Sequence, residues 1–280
     1  YKTKPYEHQE EALLRSFNRK NYAYFMEMGC GKSKVLIDNI TWLYENKKID
    51  TAIIVAPKGV YMNWKNAEIP IHLPDNIEKN VYVWKASANK TEKKILEEGV
   101  KTRDKLRILL VNVESFATAK VIKYLEAFIH RSNFMLAVDE STTIKNIKAK
   151  RTKSVLKIGD SAQYKRILTG SPITQSPMDL YAQCAFLDKD LLGFDSYWSF
   201  QGRYAIIRQT RMGNHSFQQV VGFRNLEELT DKLHNFAYRV TKEQALDLPD
   251  KIYTTREVVL TSDQIKHYNS MKDVAVAFLE

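Results

Sequence analysis

The chain has 280 residues, with 43 Lys or Arg against 33 Asp or Glu and a formal net charge of +10. With 44% hydrophobic and 27% charged residues, it can build one large or two small buried cores, which excludes disorder over most of its length. Its longest apolar runs, Thr51–Ala56 and Phe134–Val138, are far too short to cross a bilayer, and two cysteines make no disulfide framework. The basic excess suits a polyanionic partner, nucleic acid being the commonest; an ordinary basic enzyme is the other reading. No secretory leader is visible, so a reducing compartment and no membrane partner are expected.

In chain order, short apolar strands are predicted at Tyr22–Met26, Thr51–Ala56, Val81–Trp84, Arg107–Asn112, Phe134–Val138 and Lys165–Leu168. Amphipathic helices are predicted between them, including Lys34–Glu45 and Thr118–Ile129. Unbroken apolar strands separated by helices indicate a parallel sheet covered on both faces, with chemistry at the carboxyl ends of the strands. Beyond about residue 190 the character changes. Leu191–Tyr204 is rich in aromatics, and Ala205–Val221 reads as a hairpin around Met212-Gly213-Asn214-His215. Leu226–Val240 returns to helical spacing, Leu248-Pro249-Asp250-Lys251 is a break, and Tyr253–Leu260 alternates like a strand. Ser262–Glu280 is amphipathic at helical spacing. The first residue is Tyr and the last segment has no helix cap, so the chain is expected to be the front part of a longer one.

The segment Met26-Glu27-Met28-Gly29-Cys30-Gly31-Lys32-Ser33 follows a strand and opens a helix. Glycines let the backbone curl its amides toward phosphate oxygens, and the helix N-terminus adds a favourable dipole. Lys32 would reach the β and γ phosphates, and the Ser33 hydroxyl would hold magnesium. Met28, Gly29, Cys30, Gly31, Lys32, Ser33 and Lys34 are therefore the candidate nucleotide-binding residues. Met26 stands where the standard signature has its first glycine, and a simple glycine turn before a helix is the alternative. Asp139 and Glu140 directly follow the strand Phe134–Val138. Asp139 would bind magnesium and Glu140 would orient or activate a water, unless the pair is merely a polar loop.

The order of these and further motifs resembles the Swi/Snf family of ATP-dependent DNA translocases, within helicase superfamily two. Glu27-Met28-Gly29-Cys30-Gly31-Lys32-Ser33 is similar to its phosphate loop. Val55-Ala56-Pro57 with Asn63-Trp64 and Glu68 resembles its second motif. Asp139-Glu140-Ser141-Thr142 with Ile144-Lys145-Asn146 stands for its acidic motif, and Leu168-Thr169-Gly170-Ser171-Pro172-Ile173 for its coupling motif. Arg239-Val240-Thr241-Lys242 and Leu248-Pro249-Asp250-Lys251 resemble its exit from the first lobe. Thr142 replaces the family histidine that links the acidic and coupling motifs. The compact spacing looks like that of bacterial or phage members, implying the cytoplasm of a bacterial or phage-infected cell.

The resemblance implies a P-loop NTPase with a RecA-like parallel sheet flanked by helices and a helical and hairpin extension toward the C-terminal end. Its implied organisation is an ATP-binding lobe over 1–190, the extension over 191–245, and a linker over 246–280 toward a second RecA-like lobe of the same polypeptide. It further implies ATP and Mg2+ as ligands, Lys32, Asp139 and Glu140 as catalytic residues, and Gln9 as a contact to the adenine edge. Thr169, Gly170 and Ser171 would couple nucleotide state to the grip on double-stranded DNA. The second lobe would bring an arginine to the γ phosphate, so this chain alone is expected to hydrolyse ATP weakly.

Ser141–Gly170 holds Lys145, Lys148, Lys150, Arg151, Lys153, Lys157, Lys165 and Arg166 against Asp160 alone. Such a block would neutralise phosphates without reading bases, or it is a solvated helix face. Lys145, Lys148, Lys150 and Arg151 are its leading DNA-binding candidates, with Lys58 and Asn63 added by family position. Arg203, Arg208 and Arg211 are weaker candidates. Trp64 and Tyr61 could stack on bases, but a Trp opening a helix after a strand is read as packing. Two alternatives to a translocase stay open: a strand-separating helicase of the same superfamily, and an excised module that grips DNA without turnover.

Overall fold

The computed structural model describes residues 1–212, 215–247 and 254–277. Seven strands form one sheet in which every described pairing is parallel: β1 (Asn21–Met26), β2 (Thr51–Ala56), β3 (Lys79–Val83), β4 (Leu106–Asn112), β5 (Phe134–Asp139), β6 (Tyr164–Leu168) and a further strand at Ala237–Val240. Between β6 and that last strand a two-stranded antiparallel hairpin intervenes, β7 (Ala205–Met212) and β8 (His215–Phe223), so the last sheet strand is β9. The sheet order is β3-β4-β2-β5-β6-β1-β9. The hairpin was legible in the sequence, although Gly213 and Asn214 lie outside the described residues.

Successive side chains of a strand point to opposite faces, and here both faces are apolar. On one face Phe25, Val55, Val111, Val138 and Ile167 pack with Leu125 and Phe128 of α4 and Val155 and Ile158 of α5. On the other, Tyr24, Met26, Ile54, Leu110 and Ala137 pack with Leu13 of α1 and Val35, Leu36, Ile40 and Leu43 of α2. These helices are α1 (Glu7–Ser16), α2 (Lys32–Glu45), α3 (Lys90–Lys101), α4 (Ala119–Ile129) and α5 (Lys150–Gly159). They are followed by α6 (Leu180–Leu187), α7 (Tyr197–Tyr204), α8 (Leu226–His234), a single turn α9 (Lys242–Ala245), and α10 (Ser262–Ala277). Helix α3 escaped the sequence reading, although Asn89 and Glu92 close a reciprocal capping box at its start.

Three expectations are corrected. The stretch 226–240 is not one helix. It stops at His234, and Ala237–Val240 leaves as a strand that pairs Ala23 with Ala237 and Met26 with Val240. The helical spacing of Leu229, Leu233 and Phe236 carries past the true end because Phe236, in the turn, still has to reach the same core. Residues 254–260 form no regular element, and Tyr253 lies outside the described residues, as does the break Leu248–Lys251. Strand β3 is set two residues earlier than predicted, pairing Lys79 with Leu106. Residues Tyr1–Leu246 make one compact unit and Asp247–Glu280 another. No helix among the described residues is long and apolar enough to cross a membrane.

Arg166 corrects the sequence reading in a different way. It was counted in the basic block, yet it is fully buried in β6. Its guanidinium donates to Asn39 Oδ1 and to the carbonyls of Ser16, Arg19, Lys20 and Lys165, at 2.8–3.0 Å. All five acceptors are neutral. The carbonyls at the C-terminal end of α1 carry the partial negative charge that makes a buried cation tolerable there. Arg166 thus ties α1, the α1–β1 turn and α2 to the sheet. Arg166→Met removes five hydrogen bonds, although the Ser16 and Lys20 carbonyls keep a backbone donor each, and is expected to cost about 2–3 kcal/mol. Urea unfolding measures this; a midpoint equal to that of the parent would show that the carbonyls are satisfied in another way.

Candidate functional site

The carboxyl ends of β1, β5 and β6 adjoin, because these strands are neighbours in the sheet. From β1 the chain turns through Gly29 (φ +87) and Gly31 (φ +83), both left-handed, and enters α2 with Gly31 as its N-cap. L-residues rarely hold that conformation, so the two glycines are what allow the turn. Helix α1 locks the turn from outside. Gln9 Nε2 donates to the Cys30 carbonyl at 3.2 Å, and His8 Nε2 lies 2.9 Å from the same oxygen, which requires the ring nitrogen to donate. Gln9 Oε1 accepts from the Tyr6 N–H at 3.0 Å. Gln9 is buried, so the residue assigned to an adenine edge also braces the loop, using one amide proton and one lone pair to do so.

Lys32 and Ser33 open α2 half-buried. Lys34 is different: its ammonium is buried and paired with Asp38 at 2.7 Å. Its side chain is therefore committed, and what it can offer a ligand is its backbone N–H in the first helical turn. The Cys30 thiol is held above its ordinary pKa by burial and by Glu27, against Lys32 and Lys242. Its side chain is buried in the core on the α2 side of the sheet.

Asp139 and Glu140 follow β5. Asp139 is 6% exposed. Its Oδ2 accepts from the Trp64 indole N–H at 3.0 Å and its Oδ1 from the Glu140 N–H at 3.0 Å. Burial pushes its pKa up to about 6, the Trp64 hydrogen bond opposing, Glu140 adding and Lys32 opposing. A cation beside it would favour the charged form. Trp64 is buried, as its reading as a packing residue requires. Its second role, orienting an acid from another strand, carries no sequence signal, because any indole can donate one hydrogen bond.

Glu140 adopts φ 49, ψ 61, a left-handed conformation unusual for a residue with a β-carbon. There its carboxylate Oε2 accepts from Thr169 Oγ1 at 3.3 Å, and Thr169 Oγ1 in turn accepts from the Ser171 N–H at 3.2 Å. Gly170 sits beside the phosphate loop: a β-carbon on it would lie 3.2 Å from Met28 N and 3.5 Å from Met26 O. A second bridge runs behind. The Ser141 hydroxyl donates to Gln183 Oε1 at 2.6 Å, and Gln183 Nε2 donates to the Pro172 carbonyl at 2.8 Å. The acidic and coupling segments are thus joined without Thr142, the position where the resemblance left the link in doubt. Gln183 on α6 and Asp179 just before it were missed by sequence reading. Asp179, despite burial, is held below the usual carboxylate range by the Gln175 N–H and the hydroxyl and N–H of Thr174.

The basic candidates divide. Lys148 and Lys150 are exposed, and the Lys148 ammonium lies 5.2 Å from the centre of the exposed Trp198 ring. Lys145 is half-buried and paired with Asp179 at 3.3 Å, so it first serves the loop after the coupling segment. Arg151 is half-buried with its Nε buried and without a hydrogen-bond partner. Lys58 is exposed at the end of β2, and exposed Asn63 donates to Glu68 Oε1 at 3.0 Å. Arg203 is paired with Glu228, whereas Arg208 and Arg211 lie on the outer hairpin.

Comparison with known proteins agrees with this architecture. A family model described as an SNF2-related domain matches residues 13–280. A SWI/SNF chromatin-remodeling complex subunit of Schizosaccharomyces pombe is 27% identical over 262 residues, covering 91% of this chain and 14% of that protein. The helicase-like transcription factor of Homo sapiens is 24% identical over 257 residues, covering 86% and 23%. Among solved structures, the SWI2/SNF2 ATPase core of Sulfolobus solfataricus in complex with dsDNA superposes with a TM-score of 0.65 at 24% identity, over 96% of this chain and 52% of that one. The chain thus spans under a quarter of these curated relatives and about half of the solved core.

The brace on the phosphate loop gives a sharp test. A β-carbon on Gly31 would lie 2.2 Å from Gln9 Nε2, and the left-handed backbone adds strain. Gly31→Ala is therefore expected to destabilise the chain by about 2–3 kcal/mol. In Gly31→Ala/Gln9→Ala the collision is gone, so the loss should fall below the sum of the two single losses by about 1 kcal/mol or more. Thermal unfolding of the four proteins measures the coupling; strict additivity would mean that the loop moves away from α1 instead of resting on it.

Proposed function

The chain belongs to the family of SNF2-related domains, and we propose that it is the ATP-binding half of an ATP-dependent double-stranded DNA translocase. The observation that carries this reading is the hydrogen bond between Thr169 and the Glu140 carboxylate, with Gly170 packed against the phosphate loop. It puts the acid that would orient a water, the loop that would hold phosphates, and the segment that would report their state into one contact network.

The residues fit magnesium and ATP. The loop offers glycine amides and the first turn of α2, with Lys32 and Ser33 at its start, and Asp139 at the end of β5 is fixed by Trp64. Ser33 and Asp139 would hold the magnesium ion, which supplies positive charge against the phosphate oxygens. Lys32 would bind the β and γ phosphates, and Gln9 would keep one amide proton and one lone pair for an adenine edge. Glu140 would accept a hydrogen bond from the attacking water and so aim it at phosphorus. Loss of the γ phosphate would change the charge facing Glu140, and Thr169 would carry that change to Ser171 and Pro172. Exposed Lys58, Lys148 and Lys150 are the favoured contacts to a DNA backbone, and Lys145, Arg151 and Asn63 follow only if they leave their present surroundings. A second RecA-like lobe of the same polypeptide would close on the nucleotide. We also propose a reducing cytoplasm, bacterial or phage-infected, as the setting, supported by the compact motif spacing and two buried free cysteines.

Turnover separates this reading from a non-catalytic DNA module. The chain by itself should hydrolyse ATP about 10³–10⁵-fold more slowly than a protein extended through a second lobe, because that lobe would supply the arginine that meets the γ phosphate. In the extended protein, Lys32→Ala should abolish DNA-stimulated turnover, and Glu140→Gln should lower it about 10²–10⁴-fold while leaving ATP bound. Steady-state phosphate release measures both; an extended protein that binds DNA yet never turns over ATP would leave only the binding module standing. Displacement of a strand from forked duplexes would favour the helicase reading. For the DNA surface, Lys148→Ala/Lys150→Ala should weaken duplex binding at every sequence and reduce the slope of log affinity against log salt by about two. An unchanged slope would remove these lysines from the interface.

A further inference from the structure

Two residues after the edge strand β9, Lys242 brings its side chain over the phosphate loop. A β-carbon on Gly29 would lie 3.3 Å from Lys242 Cε and 3.8 Å from its Nζ. The approach is pinned through the backbone, not through the ammonium. The Lys242 N–H donates to Glu27 Oε2 at 2.9 Å, and the Glu27 N–H donates to the Val240 carbonyl at 3.0 Å, which continues the β1–β9 pairing into the loop. No carboxylate lies within 4.0 Å of the Lys242 ammonium among the described residues, and the side chain is half-buried. The Cys30 thiol feels Lys32 and Lys242 together, which sets both cations around the same few backbone amides.

A cation held over a curl of N–H donors without an acid of its own is arranged for an anion. We propose that Lys242 is a second phosphate-binding lysine, which contacts the polyphosphate of the nucleotide from outside the loop that carries Lys32. The inference rests on the reading of residues 26–33 as a nucleotide loop and adds a ligand contact from outside that loop. Lys242 lies at the far end of the sequence from the loop, and only the pairing of β9 beside β1 brings it there. The Gly29 position explains itself in the same terms. A side chain there would occupy the space through which the lysine reaches the loop.

The test uses the 280-residue chain, with binding of Mg-ATP, Mg-ADP, inorganic tripolyphosphate and adenosine followed by calorimetry. Lys242→Met should weaken ATP, ADP and tripolyphosphate about tenfold or more and leave adenosine unchanged, since one charge-assisted contact is lost. Lys242→Arg should retain most of the affinity. The thermal midpoint of the ligand-free Lys242→Met chain should equal or exceed that of the parent, because two neighbouring cations no longer repel. Should Lys242→Met bind ATP as tightly as the parent while Lys32→Ala does not, the proposed contact is wrong and the nucleotide loop stands. If Lys242→Arg loses as much as Lys242→Met, the side chain acts by packing and the proposal is overturned. If the parent binds neither ATP nor tripolyphosphate, the reading of the loop itself fails, and the lysine contact with it.

Discussion

Strand β1 is hydrogen-bonded on both sides, to β6 and to β9, and the site consists of what those two pairings bring to its carboxyl end. The β6 side delivers Thr169, Gly170 and Ser171 against the phosphate loop. The β9 side delivers the backbone of Val240 and Lys242 against Glu27. Parallel pairing makes this unavoidable: strands that run in one direction end together, so their exits share one edge of the sheet. The phosphate loop is therefore not a free glycine turn. It is gripped by α1 through the Cys30 carbonyl, by β6 through Gly170, and by β9 through Glu27.

The electrostatics run opposite to the composition. A chain of net charge +10 would be expected to keep its arginines in water, yet Arg166 and Arg107 are buried. Arg107 donates to the carbonyls of Gly99 and Phe128 and to the hydroxyls of Thr51 and Ser132. Each holds helix and strand ends together from inside, one on each side of the sheet. Lysine could not do this, since its single ammonium has too few donors in too compact a head to satisfy acceptors spread over several segments. The surface cations left for a polyanion are correspondingly fewer than the basic block of residues 141–170 suggests.

The sequence reveals the parts of this site that are local. A loop between a strand and a helix, two acids after an apolar strand, and Thr-Gly-Ser after the next are contiguous patterns, and each lies where a strand ends. What it conceals is non-local. Trp64 looks like packing because burial and hydrogen bonding to Asp139 make the same demand on residue type. Gln183 reads as one more helical residue until Ser141 and Pro172 are seen on either side of it. Ala237–Val240 imitates the continuation of α8, because an edge strand of four residues is too short to establish a period of two against a preceding period of 3.6. Arg166 is counted as surface because charge in a sequence carries no depth.

The left-handed backbone at Glu140 has a consequence for how this position is kept through descent. The backbone alone would prefer glycine or asparagine there, because either relaxes it by about 1 kcal/mol, at the loss of the carboxylate that accepts from Thr169. Random drift filtered only for soluble, abundant protein would thus erode the glutamate, whereas drift filtered for turnover would hold it under the proposed role of Glu140 in aiming the water. The two filters disagree at residue 140 and agree at Gly31, where shape alone sets the requirement. A lineage that has given up the chemistry but kept the scaffold would show its history first at residue 140, well before any change in the core.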